Sequence, residues 1–234
     1  MPNQPSKEKL WVYTVLPPLI LNIGGLFTYG LYYALLAVNP QRVAGISPGH
    51  VRLAADAMIF IVEWVFAAAI IFSLRKSGAN LNQLISPQSN LFHFRWGPAV
   101  LLFAGWNALF AVYLYLAGRI NPAIWNAYQG LPLGLHLLEI TLIPFTAAFC
   151  EELIWRAYIP TRMEVKGSRL WPIILLSSFS FCLIHGVFLV DKLFVTFILG
   201  VMATFYYLKK RNLVPLIITH WFIDLWSFGL FIFR

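Results

Sequence analysis

Long apolar runs without charge decide which folds are open to this chain. The run from Leu10 to Gln41 contains no charged residue, whereas roughly 20 apolar residues suffice to cross a bilayer. It is also much longer than the apolar core of a cleavable signal peptide, which spans roughly 7–15 residues. Only 11% of the chain is charged, against roughly 25% in soluble domains. We therefore predict an integral, multi-pass membrane protein whose constant partner is the lipid bilayer.

Seven apolar runs are predicted to be transmembrane helices. They are Leu10–Val38, Ala54–Leu74, Gly97–Ala117, Leu133–Ile159, Trp171–Val190, Leu193–Leu208 and Leu213–Phe233. An eighth span, hidden in the long first run or in a re-entrant piece, would change this number. The fold class is all-α, a polytopic transmembrane helical bundle, in which a short link around Asp191-Lys192 makes the fifth and sixth helices antiparallel neighbours. We divide it into N-terminal helices at 1–132, with about three spans, and a catalytic core at 133–234, with about four.

Basic residues give the chain a net charge of +8, but they do not indicate a nucleic-acid partner. No separate basic domain or aromatic stacking module accompanies them. Instead, 11 Lys and Arg fall in the loops on one side of the predicted membrane and 5 on the other. Because cytoplasmic loops are enriched in Lys and Arg, this bias predicts a cytoplasmic N-terminus and an external C-terminus.

Two adjacent carboxylates lie near the end of the fourth apolar run, where Glu151 and Glu152 are followed by Arg156. A charged side chain within a membrane helix is costly and is by default the sign of a functional site. Glu152 and Arg156 are four residues apart and share a helix face, so we expect them to pair. Glu151 is rotated by about 100° from Glu152, which leaves its carboxylate free for chemistry.

Two later helices carry polar edges of the same kind. Phe181 and His185 lie four residues apart in the fifth span, and His220 and Asp224 lie four apart in the seventh. Lipid would reject these edges, so we expect them to face Glu151 and one another around a wet cavity.

Three other carboxylates lie within the predicted spans. Asp56 and Glu63, in the second span, are interpreted as structural, although Glu63 could also line the cavity. Glu139 precedes Glu151 by twelve residues, which turns it about 120° around the helix. We therefore expect Glu139 to face elsewhere.

Carboxylates beside imidazoles are suited to hydrolysis. A carboxylate can take a proton from water and so generate a nucleophile for a carbonyl carbon, while a second imidazole stabilises the oxyanion. Two carboxylates and two histidines could equally bind a divalent cation such as zinc, whose bound water would serve the same purpose. No cofactor is firmly implied. The chain has no glycine-rich nucleotide loop, which argues against hydride and phosphoryl transfer.

The three motifs together resemble a known family. E-E-x-x-x-R at Glu151–Arg156, F-x-x-x-H at Phe181–His185 and H-x-x-x-D at His220–Asp224 occur in this order on successive apolar segments. This pattern is similar to the CPBP family of intramembrane proteases, also called the type II CaaX prenyl endopeptidase family, with its bacteriocin-processing relatives. The resemblance covers about Leu133 to Phe233. It implies a helical membrane bundle with a buried active site open toward the cytosol, and a peptide or protein substrate that is prenylated in one branch.

The resemblance also implies roles for individual residues. Glu151 would be the catalytic glutamate and His185 its partner in activating water, while His220 and Asp224 would bind the oxyanion. Glu152, Arg156 and Phe181 would support them. The prenyl endopeptidase branch typically has Asn at the position of Asp224, and an ionised aspartate donates no hydrogen bond. Asp224 would then be protonated, orient His220 or bind a metal.

Two functions other than peptide hydrolysis are compatible with charged residues in membrane helices. A non-catalytic scaffold or immunity-type protein could use the same fold, but it has no evident need for two buried histidines and an unpaired carboxylate. A transporter would need a polar pathway across the bilayer or repeated halves. The first three spans offer only Asp56 and Glu63 for such a pathway.

Overall fold

The computed structural model describes residues 7–76, 81–85, 96–116, 131–185 and 190–229. Within these ranges the secondary structure is helical and contains no strand, which confirms the all-α prediction. The α-helices are α1 (Lys7–Val38), α2 (Pro48–Lys76), α3 (Leu81–Ile85), α4 (Trp96–Leu116), α5 (Leu133–Glu151), α6 (Ile159–Val165), α7 (Leu170–Leu183), α8 (Val190–Lys210) and α9 (Val214–Gly229). A short 3₁₀ turn, Pro40–Val43, follows α1, and a π-helical segment, Glu152–Tyr158, joins α5 to α6.

Four helical stretches of the described chain are long and apolar enough to cross a membrane. They are Leu10–Val38, Pro48–Lys76, Leu133–Val165 and Lys192–Lys210. Three shorter apolar helices accompany them: Gly97–Tyr113, Leu170–Leu183 and Val214–Leu225. Large apolar side chains such as Phe27, Phe72 and Leu101 are exposed on the outside, where acyl chains would cover them. The protein is a polytopic helical membrane bundle, as predicted.

The predicted boundaries are wrong around the fifth and sixth spans. Helix α7 ends at Leu183 rather than Val190, because the backbone N–H groups of Ile184 and His185 bond back to the carbonyl groups of Phe181 and Cys182 in a tight turn. The predicted link at Asp191-Lys192 instead lies inside the first turn of α8. The apolar sequence continues through this turn, so hydropathy does not mark it. Residues 186–189, 117 and 230–233 of the predicted spans lie outside the described residues.

Helix α1 continues through Pro17 and Pro18 because another helix replaces a missing hydrogen bond. Pro18 has no N–H to donate to the Thr14 carbonyl. That carbonyl instead accepts a hydrogen bond from Ser180 Oγ of α7. One turn further on, Asn22 Nδ2 donates to the Leu183 carbonyl at 2.7 Å. These two bonds fix α1 against the end of α7.

A second proline explains how the π-helical segment is held. In the π pattern each N–H bonds to the carbonyl five residues earlier, as Ile159 N does to Ile154 O. Pro160 cannot make the next such bond, which would go to the Trp155 carbonyl. Ser177 Oγ of α7 donates to that carbonyl instead. All seven residues of the segment are buried, so the widened turn lies at the centre of the molecule.

Close contact between α7 and α8 completes this centre. A Cβ at Gly200 would lie 3.0 Å from Cα and Cβ of Ser178 and 3.3 Å from Cδ1 of Phe181. Glycine therefore permits an approach that a larger residue would prevent. The short helix α3 is attached to the end of α8 by a hydrogen bond from Tyr207 Oη to the Leu84 carbonyl at 3.1 Å.

An ion pair links the end of α6 to the residue that follows α8. The Arg211 guanidinium donates to the Glu164 carboxylate. This hydrogen bond raises the pKa of Arg211, which lies outside the membrane-spanning segments, above its ordinary value. Because both side chains are about one-third exposed (36% and 34%), we expect the pair to add little to stability.

Candidate active site

His220, on the second turn of α9, is the side chain at which the first and third motifs meet. Its Nδ1 lies 2.8 Å from Glu152 Oε1. A carboxylate only accepts hydrogen bonds, so Nδ1 carries the proton of this bond. Nε2 faces Glu151 Oε2 at 3.7 Å and Asp224 Oδ2 at 3.6 Å. Both distances are too long for a direct hydrogen bond, so Nε2 remains available for another partner.

The two carboxylates contact the same imidazole from consecutive positions. Glu151 is the last residue of α5 and Glu152 the first of the π-helical segment. Glu152 also lies 3.3 Å from Arg156 Nε through its second oxygen, which confirms the predicted pair. Glu152 also contacts His220, a partner that the sequence did not assign to it. Its Oε1 accepts the hydrogen bond from Nδ1, whereas Oε2 forms an ion pair with Arg156 without a hydrogen bond among the described residues.

Arg156 and Phe181 pack against each other next to His220. The guanidinium carbon of Arg156 lies 3.5 Å from the centroid of the Phe181 ring, as in a cation–π contact. The same ring makes edge contacts with His185 at 4.8 Å and with His220 at 6.3 Å between centroids. Arg156 is fully buried and Phe181 is 3% exposed. The phenylalanine of the second motif thus touches the arginine of the first and both histidines.

His185 lies in the turn after α7, next to this cluster and without direct contact to Glu151 among the described interactions. Its Nδ1 is 3.2 Å from the Phe181 carbonyl. A carbonyl oxygen only accepts, so Nδ1 is protonated in this bond and the lone pair of a neutral ring lies on Nε2. The backbone therefore fixes the tautomer that can accept a proton from water.

Sequence reasoning missed Trp106 of α4 and gave Glu63 of α2 only a secondary role. The indole ring of Trp106 packs edge-on against His220, with centroids 6.0 Å apart, and is 3% exposed. Glu63 is 2% exposed, and its carboxyl group interacts with that of Glu151. A buried carboxylate is a signal that sequence contains, whereas one tryptophan among nine offers no such signal.

Asp56 and Glu139 form a separate polar group between α2 and α5. Glu139 is 2% exposed and interacts with Asp56, which is paired with Arg52 at 2.6 Å. No interaction joins Glu139 to Glu151 among the described contacts, in keeping with the helical rotation that separates them.

Acidic and imidazole groups are the usual ligands of a divalent cation such as zinc. Within residues 7–76, 81–85, 96–116, 131–185 and 190–229, no three His, Cys, Asp or Glu side chains are arranged to hold a metal ion. His220 uses Nδ1 for Glu152, and His185 uses Nδ1 for its own helix.

Comparison with known families covers the part of the chain that carries this cluster. Residues 133–226 match the family model described as Rce1-like, type II CAAX prenyl endopeptidase Rce1-like. These residues form an Rce1-like domain. No match was found among the curated proteins or the solved structures.

This Rce1-like domain contains all three motifs. It begins at the first residue of α5 and ends within α9. Glu63 and Trp106 lie outside it, on α2 and α4, yet contact its central residues. The surroundings of Glu151 and His220 are therefore completed by helices that the family model does not cover.

Proposed function

We propose that the chain is an intramembrane endopeptidase that hydrolyses a peptide bond in a membrane-associated peptide or protein tail. The observation that carries the proposal is the convergence of Glu151, Glu152, His220 and Asp224 on one buried point, with His185 beside it across the Phe181 ring. The Rce1-like domain supplies the reaction class, since its family is one of endopeptidases.

Glu151 is the general base of the proposed reaction. Among the described residues its Oε2 atom has no hydrogen-bond partner. It would accept a proton from a water held between this carboxylate and Nε2 of His185. The water oxygen then attacks the carbonyl carbon of the scissile bond. Collapse of the tetrahedral intermediate breaks the carbon–nitrogen bond, and the proton on Glu151 passes to the departing amine.

His220 stabilises the negative charge that develops on the carbonyl oxygen. Glu152 holds Nδ1 at 2.8 Å and so orients the ring, while Nε2 lacks a close partner. As an imidazolium surrounded by carboxylates, His220 would donate Nε2–H to the oxyanion. Asp224, next to Nε2, would donate a second hydrogen bond in its neutral form.

The membrane sets which substrates reach this point. The four central side chains are largely buried, the most exposed being Asp224 with 26% of its side chain accessible. A flexible tail can enter such a site more readily than a folded domain. The bias of Lys and Arg supports an entrance on the cytosolic side.

Comparison of peptide termini in membranes tests this proposal. Cells that contain the wild-type protein are compared with cells that contain Glu151→Gln, and new termini are identified by mass spectrometry. Loss of the general base should lower cleavage by roughly 10²- to 10⁴-fold. Glu139→Gln is the matched control, because it neutralises another buried carboxylate of α5 outside the cluster. Termini that persist in Glu151→Gln at the wild-type level would refute the assignment.

A further inference from the structure

Glu63 of α2 is a buried carboxyl group. It is 2% exposed, and within the part of the chain that the structure describes neither Oε1 nor Oε2 has a hydrogen-bond donor. Its carboxyl group interacts with that of Glu151, whose Oε2 likewise has no donor among the described residues. Two carboxylates in such contact repel each other when both are ionised. A proton between them would turn this repulsion into a hydrogen bond.

Apolar neighbours of Glu63 and Glu151 pack against each other and hold the two carboxyl groups close together. Trp64, which follows Glu63, stacks on Phe149 with centroids 5.9 Å apart and an interplanar angle of 25°. Phe66 and Cys150 belong to the same buried core. Helices α2 and α5 are therefore held in register by neighbours of both glutamates, and neither carboxyl group can simply turn to water.

Titratable groups from several parts of the molecule surround the pair. Asp56 and Cys150 lie on the same two helices. The others come from three further elements: Arg156 in the π-helical segment, Lys192 on α8, and His220 and Asp224 on α9. Asp56 is already paired with Arg52.

Within the described residues, no hydrogen-bond donor compensates the two oxygens of Glu63 or Oε2 of Glu151. An uncompensated charge in a protein interior is strongly unfavourable. One retained proton removes the repulsion between the two carboxylates, and the interaction between Glu63 and Glu151 offers a place where two oxygens share it.

We propose that Glu63 and Glu151 hold a single proton between them, and that Glu63 is a positioning residue for Glu151. With the proton on Glu63, its hydroxyl donates to one oxygen of the Glu151 carboxylate and leaves Oε2 directed toward His220. That is the form in which Glu151 can take a proton from water. This consequence for catalysis rests on the proposed peptidase function, whereas the shared proton does not.

Infrared spectroscopy of the purified protein in lipid nanodiscs reads this proton directly, through the stretching band of a neutral carboxyl group. The variants are Glu63→Gln, Glu151→Gln and the double variant, with Glu139→Gln as a control on the same helices. At neutral pH, Glu63→Gln should remove one carboxyl equivalent from the band, because Glu151 then ionises. Glu151→Gln should shift the band in frequency, because Glu63 then donates to an amide. The double variant should remove one carboxyl equivalent from the band, which is no more than Glu63→Gln removes.

Three results would overturn the inference: an unchanged band in Glu63→Gln, an unshifted band in Glu151→Gln, or the loss of two equivalents in the double variant. Thermal unfolding of each variant shows whether it is folded, and the Glu139→Gln band shows what an unrelated buried carboxyl contributes. Because no substrate is needed, the measurement stands even if no cleavage is found. Failure of the shared proton and failure of the peptidase assignment are thereby distinguishable.

Discussion

His220 is the residue on which the charged groups of three helical segments converge. One ring nitrogen is held by Glu152 at 2.8 Å, and the other faces Glu151 and Asp224 at 3.7 and 3.6 Å. One side of the imidazole is therefore fixed and the other is left for a reacting oxygen. In His185, too, one ring nitrogen is fixed, because Nδ1 is bonded to the Phe181 carbonyl.

Replacement of Asp224 separates hydrogen bonding from charge at this position. Asp224→Asn keeps a group that can donate to an oxyanion, so cleavage should stay within about tenfold of the wild-type rate. Asp224→Ala removes the donor and should lower kcat by about 10²-fold or more. The measurement is the cleavage rate of one substrate peptide by purified protein. Equal losses in both variants would show that the carboxylate charge itself is required.

Removal of Glu152 should destabilise the protein as well as inactivate it. Glu152→Ala leaves Arg156 fully buried without its carboxylate partner, which should cost about 3–5 kcal/mol of unfolding free energy. Glu164→Ala removes an ion pair with Arg211 in which both side chains are about one-third exposed (36% and 34%), and it should cost about 1 kcal/mol or less. Unfolding in detergent measures both. Similar losses of unfolding free energy in the two variants would show that Glu152 does not stabilise the protein through Arg156.

At the scale of helices, serines of α7 replace hydrogen bonds that prolines remove from its neighbours. Pro18 frees the Thr14 carbonyl of α1, which Ser180 satisfies, and Pro160 frees the Trp155 carbonyl, which Ser177 satisfies. Ser180 also accepts a hydrogen bond from Trp155 Nε1 at 2.8 Å. Helix α7 thereby connects α1 to the π-helical segment and holds the widened turn after Glu151 in place.

The neighbouring serines of α7 provide a matched comparison of this effect. Ser180→Ala leaves the Thr14 carbonyl and the Trp155 indole N–H buried without partners, which should cost about 1–3 kcal/mol for each group. Ser178 is equally buried, but its hydroxyl has no partner. Ser178→Ala should therefore change stability by about 1 kcal/mol or less. Thermal unfolding of both variants measures the difference, and an equal effect would contradict the proposed compensation.

For the whole molecule, sequence patterns predict the membrane bundle and the three motifs, but not how the motifs are completed. Long uncharged runs and isolated ionisable residues have few alternative explanations in a membrane, so Glu151, His220 and the Glu152–Arg156 pair are visible in advance. The end of α7 at Leu183 is hidden, because an apolar sequence continues past it. Glu63 and Trp106 join the site through tertiary packing of α2 and α4, for which helical spacing gives no signal.

The most direct test of water activation by Glu151 uses purified protein in lipid vesicles and a library of prenylated and unmodified peptides in heavy-oxygen water. Hydrolysis places one heavy oxygen atom in the new carboxyl terminus, which mass spectrometry detects. The wild-type protein should produce labelled termini from at least one peptide class, and Glu151→Gln should produce at least about 10²-fold fewer. Labelled termini from Glu151→Gln at the wild-type rate, or none from either protein, would contradict the account.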